Sequence, residues 1–140
     1  MIKITQIDKQ RGCFIDIAVP AVPAKVVHPY VGDETEVTGT YTGYHEEKTF
    51  RFLRDDEIFQ PSRYKFGAEV KSTGGTATLG VYVEGVAGTV ELTTESTAYD
   101  VLVGSKDISG LADGVHPVHM SLKVNRGTYW NRLFDNYLVG

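Results

Sequence analysis

Two histidines three residues apart, His116 and His119, are the first residues of this chain that invite a chemical reading. On one helical face such a pair can grip a transition metal. The residues around them alternate instead, with Val118, Met120, Leu122 and Val124 set against Pro117, His119, Ser121 and Lys123. In a strand an odd separation sends two side chains to opposite faces, which argues against a His-based zinc or iron site. His116, just before Pro117, points to a turn, and His28 and His45 lie in dispersed loops. The clusters Asp55-Asp56-Glu57 and Glu46-Glu47 carry the carboxylates a glycosidase would need, but charge runs in loops read as solvated surface. Ser62, Ser96 and Ser109 lack the glycines of a nucleophile elbow, and no glycine loop precedes a helix to cradle phosphate. The single Cys13 excludes an internal disulfide and a Cys-coordinated zinc, and reads as a small buried apolar residue. The chain is expected to be non-catalytic.

Binding chemistry has better candidates. A pyranose presents C–H faces that stack on exposed aromatic rings, with polar side chains fixing its orientation. Tyr82 falls on the outward parity of its strand, Tyr41 and Tyr44 flank a turn, and Tyr129-Trp130-Asn131-Arg132 sets two rings beside a carboxamide and a guanidinium. Tyr82, Tyr129, Trp130 and Arg132 are therefore the candidate carbohydrate-binding residues. The competing reading makes Tyr129 and Trp130 core or interface anchors, and Tyr82 suits a subunit interface as well as a sugar.

The elements that must position these residues are strands. From Tyr64 onward, Tyr64, Phe66, Ala68 and Val70 take one side and Lys65, Gly67, Glu69 and Lys71 the other. Only a pleated strand has that period of two. The pattern returns after Ser72-Thr73-Gly74-Gly75, where Gly74-Gly75 suits a hairpin turn, with Ala77, Leu79, Val81 and Val83 inward. Upstream, Ile2 and Ile4 alternate, Phe14 to Val19 makes a short strand, and Pro20, Pro23 and Pro29 punctuate an extended stretch ending at Tyr30. Proline cannot donate to a ladder, so this stretch is expected to be a docking arm or linker. Glu36 to Thr42 alternates, Gly43 to Lys48 closes a loop, Phe50 to Leu53 is a strand, and Asp55 to Phe59 forms one helical turn that Pro61 stops.

Spacings of about 8 to 12 residues between strands indicate a sandwich or barrel. The expectation is an all-β, antiparallel β-sandwich, jelly-roll-like, with about nine to ten strands in one domain over 1–140, residues 1–31 being a less regular arm. The 140 residues, 41% hydrophobic, suffice for one core. A net charge of -4 offers no basic excess for nucleic acid. No apolar run approaches the roughly 20 residues that span a bilayer, and Met1 to Thr5 alternates like a strand in place of a signal peptide's apolar segment.

The segments Tyr64 to Ser72, Thr76 to Val83, Tyr99 to Val103 with Ile108 to Gly114, Val118 to Val124, and the closing Trp130 to Leu138 resemble the jelly-roll modules of the carbohydrate-binding type. The likeness is at the level of fold and runs from Tyr64 to Leu138. It implies a carboxylate on the last strand that helps hold a structural calcium, and Asp135 occupies that place. The resembled family draws further ligands from its first strands, where this chain has only Asp8 within Met1 to Arg11. Similar domains serve as decoration proteins and adhesins of bacteriophage virions. With the proline-rich arm and the absent signal peptide, the resemblance implies a virion structural protein, made in the host cytoplasm. It would dock through Pro20, Pro23, Pro29 and Tyr30 to other virion proteins and assemble with itself as a homo-oligomer, a trimer. The alternative is a carbohydrate-binding module or lectin-like adhesin of a cellular protein, with glycans as partners.

Overall fold

Alternation dictates the architecture. In a computed structural model, which describes residues 31–140, nine strands form: β1 (Val31–Asp33), β2 (Val37–Gly39), β3 (His45–Arg54), β4 (Arg63–Thr73), β5 (Ala77–Val83), β6 (Thr89–Thr94), β7 (Asp100–Asp107), β8 (Gly114–Val124) and β9 (Thr128–Val139). The expected docking residues Pro20, Pro23, Pro29 and Tyr30, together with Cys13, lie outside the described residues. All twelve side chains read as inward on β4, β5 and β8 are buried, and their neighbours in sequence face outward or lie at the rim.

Two antiparallel sheets result. One runs β1-β9-β4-β7, with β2 also pairing β9, and the other runs β3-β8-β5-β6. The pairs nest around the β5–β6 hairpin: β4 with β7, β3 with β8, and β2 with β9. This nesting folds one long antiparallel ribbon over itself and is a jelly-roll topology. Phe134 of β9 meets Phe50 of β3 at 5.3 Å between ring centroids, and Tyr64 of β4 meets Phe52 of β3 at 5.9 Å, so aromatic contacts tie the two sheets across the core.

Several local expectations give way to pairing. Gly74, at φ +98°, turns the chain from β4 in one sheet to β5 in the other, so Gly74-Gly75 makes a crossover and no hairpin. His45 to Lys48 belongs to β3 and not to a loop, because β8 pairs with it and a bulge at Glu46/Lys48 absorbs its irregular pattern. His116 lies within β8, opposite Phe52, and not in a turn. The Glu36–Thr42 strand shortens to Val37–Gly39. At Asp55 to Phe59 the N–H groups of Ile58 and Phe59 both donate to the Asp55 carbonyl, closing one turn.

Two features position the chemistry. A bulge between β4 and β9 pairs Glu69 with Leu133 but Val70 with Asn131, which leaves Arg132 as the extra residue and reverses the facing of β9 at that point. Buried Asn131 ties this bulge off by donating its amide to the carbonyls of Glu69 and Leu133. At the other rim the amine of buried Lys48 donates to the Asp33 carbonyl at 3.1 Å and lies 3.7 Å from its carboxylate, joining β3 to β1 across the sheets. Burial pulls the Lys48 amine pKa down, and Asp33 opposes that shift.

Candidate functional site

The outward face of the β3-β8-β5-β6 sheet carries a ring platform. One rung crosses all four strands as Thr49, His119, Tyr82 and Thr89, and the next as Glu46, Ser121, Gly80 and Glu91. Gly80 brings no side chain to that second rung, and the Tyr44 ring occupies the space, so close that a Cβ on Gly80 would lie 2.7 Å from it. Tyr44 donates its hydroxyl to Glu91 at 2.5 Å, and the Lys123 amine sits 4.4 Å from the ring centroid. Burial first, and then the Glu91 contact, raise the Tyr44 hydroxyl pKa above its ordinary value.

Beside it, Tyr82 stacks on His119 with centroids 6.2 Å apart and planes 18° apart. His119 Nε2 meets Glu84 at 2.5 Å, and Nδ1 lies 3.1 Å from Glu46 in a charge contact without hydrogen-bond alignment. The Glu84 hydrogen bond first, and then Glu46, raise the imidazole pKa above its usual value. Tyr44 and Tyr82 remain 40% and 39% exposed, so both rings keep surface for a ligand. Two rings flanked by the carboxylates of Glu46, Glu84 and Glu91 can stack against a sugar face and accept its hydroxyl hydrogen bonds.

The other sheet holds the remaining candidates, in a different arrangement. Lys71 places its amine 4.7 Å from the Tyr99 ring centroid and 5.3 Å from that of Trp130, while the Arg132 guanidinium covers Tyr99 at 4.1 Å. Arg132 donates to Glu69, and the Tyr99 hydroxyl to Glu36 at 2.8 Å. Burial and then the Glu36 bond push the Tyr99 hydroxyl up to about 12. Each ring here is already covered by a cation of the chain itself.

The sequence candidates are thus divided. Tyr82 lies outward on one sheet, Trp130 and Arg132 on the other, and they form no common face. Tyr129 is 0% exposed and gives its hydroxyl to Glu47, so it presents no ring to a sugar; the bulge at Arg132 turns it into the core. Parity alone did not reveal the seat that Gly80 makes for Tyr44, nor the clamp of Glu46 and Glu84 on His119.

Asp135 sits between Gly32 and Gly67 on the outer face, where burial, Glu34 and Glu69 raise its carboxyl pKa. Calcium takes 6–8 oxygen ligands, and among the described residues no group of three or more acidic, His or Cys side chains is arranged to hold a metal. A polar cleft of about 360 Å³ opens at one end of the sandwich, lined by Gly74, Gly75, Thr76, Glu95, Thr97, Asn125 and Arg126. Its polar groups are largely paired with one another: Asn125 accepts from the Thr76 N–H, Glu95 from the Thr76 hydroxyl, and Arg126 donates to the Gly74 carbonyl.

No family model matches the chain. No curated protein matches it. A solved structure from work headed "Bacillus endospore appendages form a novel family of disulfide-linked pili" aligns with 90% of this chain and 100% of its own, at 14% identity and a TM-score of 0.33. A likeness of that size carries no argument about function.

Proposed function

We propose that the chain is a non-catalytic structural protein of a virion, a capsid decoration or tail accessory protein, that works by docking to a particle and to copies of itself. The observation that carries the assembly part of this reading is the apolar surface of strand β7. Val101 and Val103 are 63% and 67% exposed in the uncharged middle of β7, which among the described residues is the last strand of its sheet, a place where a protein that stays alone tends to put charge or proline. The virion setting rests on the fold-level resemblance and on the proline-punctuated arm. Purified protein added to particles stripped of it should rebind and saturate. Protein that neither self-associates at high concentration nor rebinds would refute the reading.

The Tyr44–Tyr82–His119 platform favours a second reading, a lectin-like module that adheres to surface glycans. The two are compatible, since a decoration protein can carry a sugar site. A glycan array should then show binding that Tyr82→Ala and Tyr44→Ala each reduce about tenfold, the loss of one stacking contact of roughly 1.4 kcal/mol. Trp130→Ala should leave it unchanged, because that ring lies on the other sheet. No glycan bound by the wild-type chain would dismiss this second reading alone.

A further inference from the structure

Strand β7 is bonded to β4 on one side, and among the described residues no strand pairs with its other edge. Its register with β4 is unbroken from Asp100 to Asp107, so no bulge twists it away from a partner. Its middle, Val101-Leu102-Val103-Gly104, carries neither charge nor proline. Leu102 is buried beneath the sheet, and the two valines stand exposed on the outer face. Such an edge is a template for another strand.

We propose that β7 pairs antiparallel with β7 of a second copy, about a two-fold axis through Val103. Charge selects the register. Centred on Val103, the ladder sets Asp100 of each copy opposite Lys106 of the other, once at either end. It sets Val101 opposite Ser105, Leu102 opposite Gly104, and Val103 opposite itself, and every side chain keeps its own face. Centring on Leu102 puts Asp100 opposite Gly104 and loses both ion pairs; centring on Gly104 puts Lys106 opposite Leu102 and Asp107 opposite Val101. Lys106 spends one proton on the Ala87 carbonyl at 2.7 Å, and an ammonium has two more to offer. The contact joins two five-stranded sheets into one and sets Val103 of each copy side by side on the shared outer face. It rests on the assembly reading above, and it gives that assembly a two-fold unit in place of the three-fold one expected from the resemblance.

The test uses the full chain with Cys13→Ser, so that any added cysteine is the sole thiol. Val103→Cys should yield a covalent dimer on mild oxidation, because the two residues face each other within disulfide reach. Val101→Cys, opposite Ser105, should yield about tenfold less, and the pair Val101→Cys with Ser105→Cys should recover it. By sedimentation, Asp100→Lys should weaken association about tenfold through like charges at both ends, and adding Lys106→Asp should restore it. A chain that associates but gives equal crosslinking at 101 and 103, or ignores Asp100→Lys, overturns the β7 pairing and leaves the assembly reading standing. A chain that is monomeric at every concentration overturns both.

Discussion

The two sheets share one core but treat their outer faces in opposite ways. On the β1-β9-β4-β7 sheet, Lys71 and Arg132 lie over Tyr99, Lys71 also lies over Trp130, and Glu69 and Glu36 complete the set. On the β3-β8-β5-β6 sheet the cation contacts among the described residues are fewer, and Tyr44 and Tyr82 keep open ring surface beside three carboxylates. The same pleat underlies both. The difference is one of degree: Lys71 and Arg132 both cover Tyr99, whereas Tyr44 carries the one cation Lys123 and Tyr82 the His119 ring, so counting surface aromatics is a poor guide to a binding face.

The largest effect comes from breaking what the sheets have in common. Phe134 is fully buried and touches Phe50 of the opposite sheet and Phe66 of its own. Phe134→Ala should cost about 3–5 kcal/mol in denaturant unfolding, with both sheets lost in one transition. Hydrogen exchange that left one sheet protected while the other opened would contradict a single shared core.

Two buried tyrosines give the next step down. Tyr129 donates its hydroxyl to Glu47, whereas the Tyr64 hydroxyl has no partner among the described residues. Tyr129→Phe should lose about 1.5–3 kcal/mol, the range for a hydrogen bond to a charged group, and Tyr64→Phe should gain about 1 kcal/mol by removing an unpaired buried hydroxyl. Equal losses at the two sites would mean that the tyrosines act only as bulk. Two outward glycines sharpen the contrast between the faces. Gly80→Ala drives a methyl into the Tyr44 ring and should destabilise by about 1–2 kcal/mol, while Gly67 has no atom nearer than 4.0 Å to an added Cβ. Gly67→Ala should therefore stabilise by about 0.5–1 kcal/mol in thermal melts.

These contrasts also mark what the amino-acid order reveals. Strand identity and facing were legible wherever side chains alternate without interruption, as on β4, β5 and β8, because burial enforces the period of two. Facing failed at bulges. Tyr129 and Asn131 point inward before Arg132, while Phe134, Asn136 and Leu138 do so after it, and no local pattern announces the extra residue. Gly74-Gly75 has the residues of a hairpin, yet long-range pairing decides that β4 and β5 part to different sheets. The platform depends on four strands and on the absence of a side chain at Gly80, so parity put Tyr82 and His119 outward and Tyr44 stood beside a turn, but no local pattern showed that these rings meet.

The smallest effect tests whether the open face is set by charge. His119 lies between Glu84 and Glu46 with Tyr82 stacked on it and Thr49 bonded to Glu46. Its folded-state pKa is raised above 6.5, by Glu84 first and then Glu46. A raised pKa means that the folded chain binds the proton more tightly than the unfolded one, so this contribution is full below pH 6.5 and disappears as pH climbs through the folded value. Glu46 acts with the opposite sign: Thr49 first and then His119 lower its pKa below 4.5, so its share is full above that pH and falls away as the medium becomes more acid. Both groups are solvent-facing, which limits the effect to below about 1 kcal/mol. Thermal melts should therefore show a small decline in Tm on the alkaline side of pH 6.5, and His119→Gln should flatten it while Glu84→Gln shrinks it. An unchanged decline in both variants would place the titration elsewhere and leave the Tyr82–His119 stack held by packing alone.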